Sequence, residues 1–225
     1  MRWIKDPPPA LGCLDDLRTN ALIKTVIPLI DDVVEDVEFK LLEMNHSPQP
    51  FPLDENEKAA LFIYTHDLNS GSPQGNAYFE LNGQLTKRDV SGRQVLVATW
   101  GTYMHYAMSG MQKLPDFRGV CWRGMNGKTE IVAEYTVGRP IQWGAFASTS
   151  TNVEVSKGFI TRENGVLFKI TLTSGKDINA FSFFPSEGEI LLSPSHRFVV
   201  AGDPYEVDGF TVIDMVQIAG NTFVS

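Results

Sequence analysis

The run Ser182-Phe183-Phe184-Pro185-Ser186-Glu187-Gly188-Glu189-Ile190-Leu191-Leu192 puts two carboxylates two residues apart, behind a pair of aromatics and ahead of an apolar stretch. Side chains at i and i+2 of a strand point to one face, so Glu187 and Glu189 are expected about 6–7 Å apart on a shared surface. Two like charges at that range push each other's pKa upward. A solvent-facing edge strand can also carry such charges, to block aggregation. Phe183 and Phe184 argue instead for binding, because loop tips avoid exposed Phe unless something covers it. Paired glutamates also suggest a retaining glycosidase. A shared face fits that poorly, because such enzymes set their carboxyls on opposite sides of the scissile bond.

Two further pieces carry candidate chemistry. Val120-Cys121-Trp122-Arg123-Gly124 sets an arginine at a strand end beside a glycine. That arrangement offers a bidentate donor for a phosphate or carboxylate, although a surface ion pair would use an arginine equally well. In Phe146-Ala147-Ser148-Thr149-Ser150-Thr151-Asn152, four of the last five residues are hydroxylic. Thr151 or Asn152 could cap the helix that follows, but a helix N-cap needs one such residue, and the surplus suggests a strand edge that positions a ligand or another side chain.

The elements that hold these residues follow from pattern and punctuation. Residues 1–19 begin with a Pro-rich arm that cannot be helical throughout. Leu22, Val26, Ile30, Val33, Val37 and Leu41 keep helical spacing, and Pro28 inside that stripe should kink or split it. Residues 45–52 and 71–75 read as loops. Asp54-Glu55-Asn56-Glu57 is a capping-box-like start for a short helix. Further helices are expected over 78–85 and 89–111. Beyond Lys113-Leu114-Pro115 the pattern changes to short apolar runs, and 119–122, 130–137, 144–148, 165–173, 190–194, 198–201 and 210–218 read as strands. Only 152–160 looks helical there. Helices first and strands second is an α+β plan, expected as one domain with a mainly helical lobe over 1–113 and a β-rich core over 114–225.

Composition excludes several classes. The net charge of −8 is spread without basic clusters, so nucleic acid is not an expected partner. Cys13 and Cys121 form no CxxC, and two cysteines make no disulfide framework. The four histidines, His46, His66, His105 and His196, lack metal-ligand spacing, so no metal is expected. Gly124-Met125-Asn126-Gly127-Lys128-Thr129 lacks the first glycine of a phosphate loop and reads as a turn. No serine-hydrolase elbow, signal-peptide core or membrane-length apolar run is visible. The expected site of action is therefore the cytoplasm, or outside the cell by a route without a classical signal.

Taken in order, the three pieces resemble the Arg–Ser–Glu class of mono-ADP-ribosyltransferases. Trp122-Arg123-Gly124 matches that family's aromatic-Arg-Gly strand, Phe146-Ala147-Ser148-Thr149-Ser150 its aromatic-x-Ser-Thr-Ser strand, and Glu187-Gly188-Glu189 its Glu-x-Glu. Leu61-Phe62-Ile63-Tyr64-Thr65 and Tyr78-Phe79-Glu80-Leu81-Asn82 match helical segments, so the resemblance covers roughly residues 50–218. A second Arg-Gly, Arg118-Gly119, competes with Arg123, and the spacing from Lys113-Leu114-Pro115 favours Arg123.

The resemblance implies a helical lobe followed by a two-sheet β core. It implies NAD as a substrate, without a metal, and a protein arginine as acceptor. Arg123 would clamp a phosphate, and the backbone of Gly124 would hold the nicotinamide amide. Ser148 would orient Glu189, with Thr149 and Ser150 beside it on the NAD side. Glu189 would stabilise the ribosyl cation and hold the ribose hydroxyls. Glu187 would bind the acceptor and accept its proton, and Phe184 and Phe183 would meet the acceptor. Arg139 and Trp143 are candidates for the nicotinamide-side loop. Nothing requires an oligomer, and a monomer is expected. An NAD glycohydrolase, a transferase acting on another side chain and a non-catalytic binding module remain alternatives.

Overall fold

The computed structural model describes residues 8–44, 51–68, 72–87, 89–194 and 196–218. The chain forms two compact units: one of the helices up to Leu114 with Phe181–Phe184, the other of Pro115–Ala180 and the chain from Pro185.

The helical unit contains α1 (Cys13–Thr19), α2 (Ala21–Val26), α3 (Ile30–Met44), α4 (Glu55–Thr65), α5 (Ala77–Leu85) and α6 (Val90–Lys113). Pro28 divides the predicted stripe into α2 and α3, because it cannot donate to the helical ladder. Helix α1 ends the Pro-rich segment, where Cys13 and Leu17 bury one turn apart and Asn56 Oδ1 accepts from the Cys13 N–H at 2.8 Å. The expected capping box is present. Asp54 Oδ1 accepts from the Glu57 N–H, and Glu57 Oε2 accepts from the Asp54 N–H, both at 2.9 Å. Glu57 is itself buried, and Ser109 (2.6 Å) and Lys113 (2.7 Å) from α6 hold its carboxylate. Trp100, Tyr103, Leu61 and Ile63 fill the core. Of the two predicted loops, residues 45–50 and 71 lie outside the described residues.

The second unit holds β1 (Asp116–Asn126), β2 (Pro140–Gln142), β3 (Ala147–Ser150), β4 (Gly165–Asp177), β5 (Glu189–Leu192), β6 (Arg197–Val200), β7 (Tyr205–Val207) and β8 (Phe210–Gln217). They hydrogen-bond in the order β1-β3-β5-β4-β8-β6-β2, with β7 on β8 and a further pairing of β1 with β4. The strands β1, β3, β5 and β4 therefore close a ring. The two sheets implied by the resemblance are joined through long β1 and β4, whose antiparallel pairing runs from Asp116↔Lys176 to Asn126↔Gly165. The pair β4/β8 is parallel. Cys121, Phe168, Ile170, Ile190, Leu192, Phe198 and Ile213 belong to one buried core cluster of this unit.

Residues 130–137, read as a strand, are corrected by the structure: α7 (Lys128–Glu134) occupies most of that stretch. Gly127 takes a left-handed φ of +109°, and the Asn164 side chain accepts from the Lys128 N–H at 3.1 Å. One helical spacing then buries Ile131 and Tyr135 together, which outweighs the strand preference of Ile131 and Val132. Helix α8 (Val153–Gly158) starts as expected, with Asn152 Oδ1 accepting from the Glu154 N–H at 3.0 Å. Strands β2 and β7 were not foreseen. The turn Asp208-Gly209, both at positive φ, joins β7 to β8 and is a hairpin signal in its own right. Among the described residues no helix is long and apolar enough to cross a membrane.

Candidate active site

Arg123 lies on β1, opposite Phe168 of β4. Its Nη1 donates to the Ser148 carbonyl at 2.6 Å, and its Cζ sits 5.8 Å from the centre of the Trp143 ring. Trp143 packs on Phe168 and Phe198, and its Nε1–H donates to the Tyr135 hydroxyl at 3.0 Å. Burial pushes the Tyr135 phenol upward. The Trp143 hydrogen bond and the charges of Arg123 and Arg139 oppose that shift. The structure thus brings Trp143 to Arg123. Arg139 sits before β2, and its guanidinium is engaged by the Glu134 carbonyl at 2.7 Å and carboxylate at 3.7 Å. Arg118 is exposed at the register shift between Phe117 and Gly119, whereas Arg123 is half-buried. At Gly124 a Cβ would stand 2.3 Å from the Ser156 carbonyl, so only glycine lets α8 approach the strand here.

The hydroxyls of β3 and its extension divide their work. The Ser148 side chain hydrogen-bonds the Glu189 carboxyl. Thr149 Oγ1 donates to the Ile190 carbonyl at 2.6 Å, and Ser150 Oγ donates to the Glu187 carbonyl at 2.5 Å. Ser150 Oγ also accepts from the Asn152 N–H at 2.9 Å, and the Thr151 N–H donates to the Gly188 carbonyl at 3.0 Å. Thr149 and Ser150 therefore spend their protons on the backbone that carries the glutamates.

The strand argument for a shared face at Glu187 and Glu189 does not hold. Glu187 ends a 3-10 turn (Pro185–Glu187), Gly188 is left-handed at φ +61°, and β5 begins only at Glu189. A Cβ at Gly188 would also meet Thr151 Oγ1 at 2.6 Å, so this turn needs glycine. The result is two unlike carboxylates. Glu187 is half-buried, while Glu189 is 7% exposed. Burial pushes Glu189 up to about 7; Ser148 and Arg123 favour its ionised form, and the Glu187 charge disfavours it.

Two residues were missed from sequence. One is Tyr135, which nothing in the pattern marks. The other is Asn179, whose Oδ1 accepts the Glu189 N–H at 2.7 Å. An Asn two residues after Asp177, just past a strand, is a turn signal that could have drawn notice. Of the two loop aromatics, Phe183 lies against Phe62 and His66 within the helical unit, where its N–H donates to Thr65 Oγ1 at 3.1 Å. Phe184 is 42% exposed. Among the described residues no three His, Cys, Asp or Glu side chains gather as a metal site.

A strand arginine tied to a hydroxyl strand, whose first serine holds a buried glutamate, on an α+β scaffold with a closed β ring, defines a class of site. The model of the NAD:arginine ADP-ribosyltransferase family matches residues 31–219, and the chain belongs to that family. It is 31% identical over 169 residues to a protein of Mycobacterium avium (strain 104) named as the NAD(+)–arginine ADP-ribosyltransferase Mav, covering 74% of this chain and 18% of the relative. It is 30% identical to Vis of Vibrio splendidus (strain 12B01), over 53% of this chain and 54% of that protein. The solved structure of Vis toxin superposes with a TM-score of 0.60 and 25% identity, covering 84% of this chain and 86% of the other. A structure of Vis with agmatine superposes with a TM-score of 0.57 and 24% identity, over 84% and 86%. The chain spans about a fifth to about half the length of these two curated relatives.

Proposed function

We propose that this chain transfers ADP-ribose from NAD to the guanidinium of an exposed protein arginine, releasing nicotinamide. The observation that carries this reading is the buried Glu189 carboxyl, held by Ser148 and within the field of Arg123. Cleavage breaks the bond between the ribosyl C1′ and the nicotinamide nitrogen, and the electron pair leaves with nicotinamide. The ribose is left with oxocarbenium character, which a fixed carboxylate stabilises. Glu189 takes that role in its ionised form. Arg123, steadied by Trp143 and the Ser148 carbonyl, binds a phosphate of NAD, and the Gly124 backbone holds the nicotinamide amide. Thr149 and Ser150 hold the edge on which the NAD lies, and Arg139 stands on the nicotinamide-side loop.

Glu187 pairs with the incoming guanidinium and takes its proton as the new C1′–N bond forms. A guanidinium has a pKa above about 12, so an adjacent carboxylate must help remove that proton. The exposed ring of Phe184 offers the acceptor a flat cation-binding face. The agmatine complex of Vis supports a guanidine as the acceptor group.

The test is nicotinamide release from NAD, with and without agmatine, for wild type and Glu189→Gln. Release that rises with agmatine, yields ADP-ribosyl-agmatine and falls by about 10²–10³-fold in the variant is expected. Release indifferent to agmatine would identify a glycohydrolase or a different acceptor.

A further inference from the structure

Glu189 is held from more sides than its strand pairing provides. On one side β3 pairs Ser150 with it. On the other, the pairing of β4 with β5 stops at Asp177↔Ile190, one residue short of Glu189. The Ile178 N–H still reaches the Glu189 carbonyl at 3.3 Å, but the Glu189 N–H goes to a side chain, Asn179 Oδ1, at 2.7 Å. Asn179 is itself aimed. Its Nδ2 donates to Asp177 Oδ1 at 2.6 Å, and its backbone N–H donates to the same oxygen at 3.0 Å. The Asp177–Asn179 turn thus closes the neck of the loop that carries both glutamates, at the one residue whose backbone fixes the buried carboxylate.

We propose that Asn179 is a positioning residue for the transfer reaction, acting through the backbone of Glu189 to set its carboxylate against Ser148 and Arg123. This rests on the transferase reading above. A carboxylate that stabilises a short-lived cation must be placed to within about 0.5 Å. A strand start whose N–H lies past the end of the β4 pairing does not supply that by itself, and an amide oxygen locked by Asp177 does. Asn179 acts on the chemical step, so its loss should lower kcat rather than weaken NAD binding.

Wild type and Glu189→Gln are assayed first with NAD and agmatine, and a wild type without activity would remove the transferase reading before Asn179 is tested. Asn179→Leu keeps the size of the side chain and deletes the acceptor. It is expected to lower kcat by about 10- to 100-fold, the scale of a misplacement near 1 Å, with KM for NAD within about threefold of wild type. The double variant Asp177→Asn with Asn179→Asp returns a donor at 177 and an acceptor at 179, and should recover most of the lost kcat. The proposal is overturned if Asn179→Leu keeps the wild-type kcat, or if its loss lies in KM alone. It is equally overturned if the folded double variant stays as slow as Asn179→Leu. Thermal melts accompany each variant, and a collapse of both would assign Asn179 to stability rather than positioning.

Discussion

Around Arg123 the protein supplies an aromatic ring and a backbone carbonyl, and around Glu189 it supplies a hydroxyl and burial at the start of a strand. The difference follows from what each group must hold constant. A guanidinium stays charged at any working pH, so its surroundings need only fix its direction. Trp143 and the Ser148 carbonyl do that without neutralising it. A buried carboxylate loses the hydration that favours its charge, and burial takes Glu189 up to about 7. Its surroundings must hold the charge as well as the direction. Ser148 serves both ends at once, its carbonyl accepting from Arg123 and its hydroxyl bonding Glu189. A substitution that touches only one of those atoms therefore separates them.

The largest effect is expected at the cationic end. Arg123→Lys keeps the charge but loses the planar fork that can donate to Ser148 while lying over Trp143. Agmatine-dependent kcat/KM should fall by about 10²–10³-fold, with a clear rise in KM for NAD in steady-state kinetics. A variant with near wild-type kcat/KM would show that charge alone suffices there.

Ser148→Ala breaks the acidic end alone, since its carbonyl stays in place for Arg123. The hydroxyl favours the ionised form of Glu189, so its removal moves that pKa upward from about 7. In the proposed mechanism Glu189 acts as the ionised carboxylate, so the rate should rise with pH on an acid limb near 7 in wild type and on a limb displaced to higher pH in Ser148→Ala. At pH 7 the loss should be about tenfold, partly recovered in alkaline buffer, with KM for NAD little changed. A pH–rate profile that falls uniformly, with no displaced limb, would show that Ser148 does not control the charge of Glu189.

What could be read in advance follows the same division between direction and charge. Local chemistry was legible: the Asp54–Glu57 capping box, the break at Pro28 and the Asn152 cap each act within a few residues. Contacts that depend on partners far along the chain were not. Residues 128–134 are helical because Asn164, a distant residue, caps them and the core takes Ile131. The two glutamates look equivalent in sequence. Their difference arises from a left-handed Gly188 and from hydroxyls on another strand, which strand periodicity cannot express. Tyr135 and Asn179 act one step behind Arg123 and Glu189, so they carry no chemical signature of their own.

Tyr135 supplies the smallest and most discriminating break. Its hydroxyl accepts from Trp143 Nε1, and Trp143 is the ring beneath Arg123. In Tyr135→Phe the indole loses that acceptor but keeps its packing on Phe168 and Phe198. The ring should therefore stay near its place with more freedom to tilt. One neutral hydrogen bond contributes about 1 kcal/mol, and only part of that passes through the ring to the guanidinium. The expected result is a rise of about two- to fivefold in KM for NAD with kcat nearly unchanged, measured alongside Tyr135→Leu, which also removes the ring from the core. A kcat loss as large as that of Ser148→Ala would mean that the aromatic end helps set the charge of Glu189 and does more than orient Arg123.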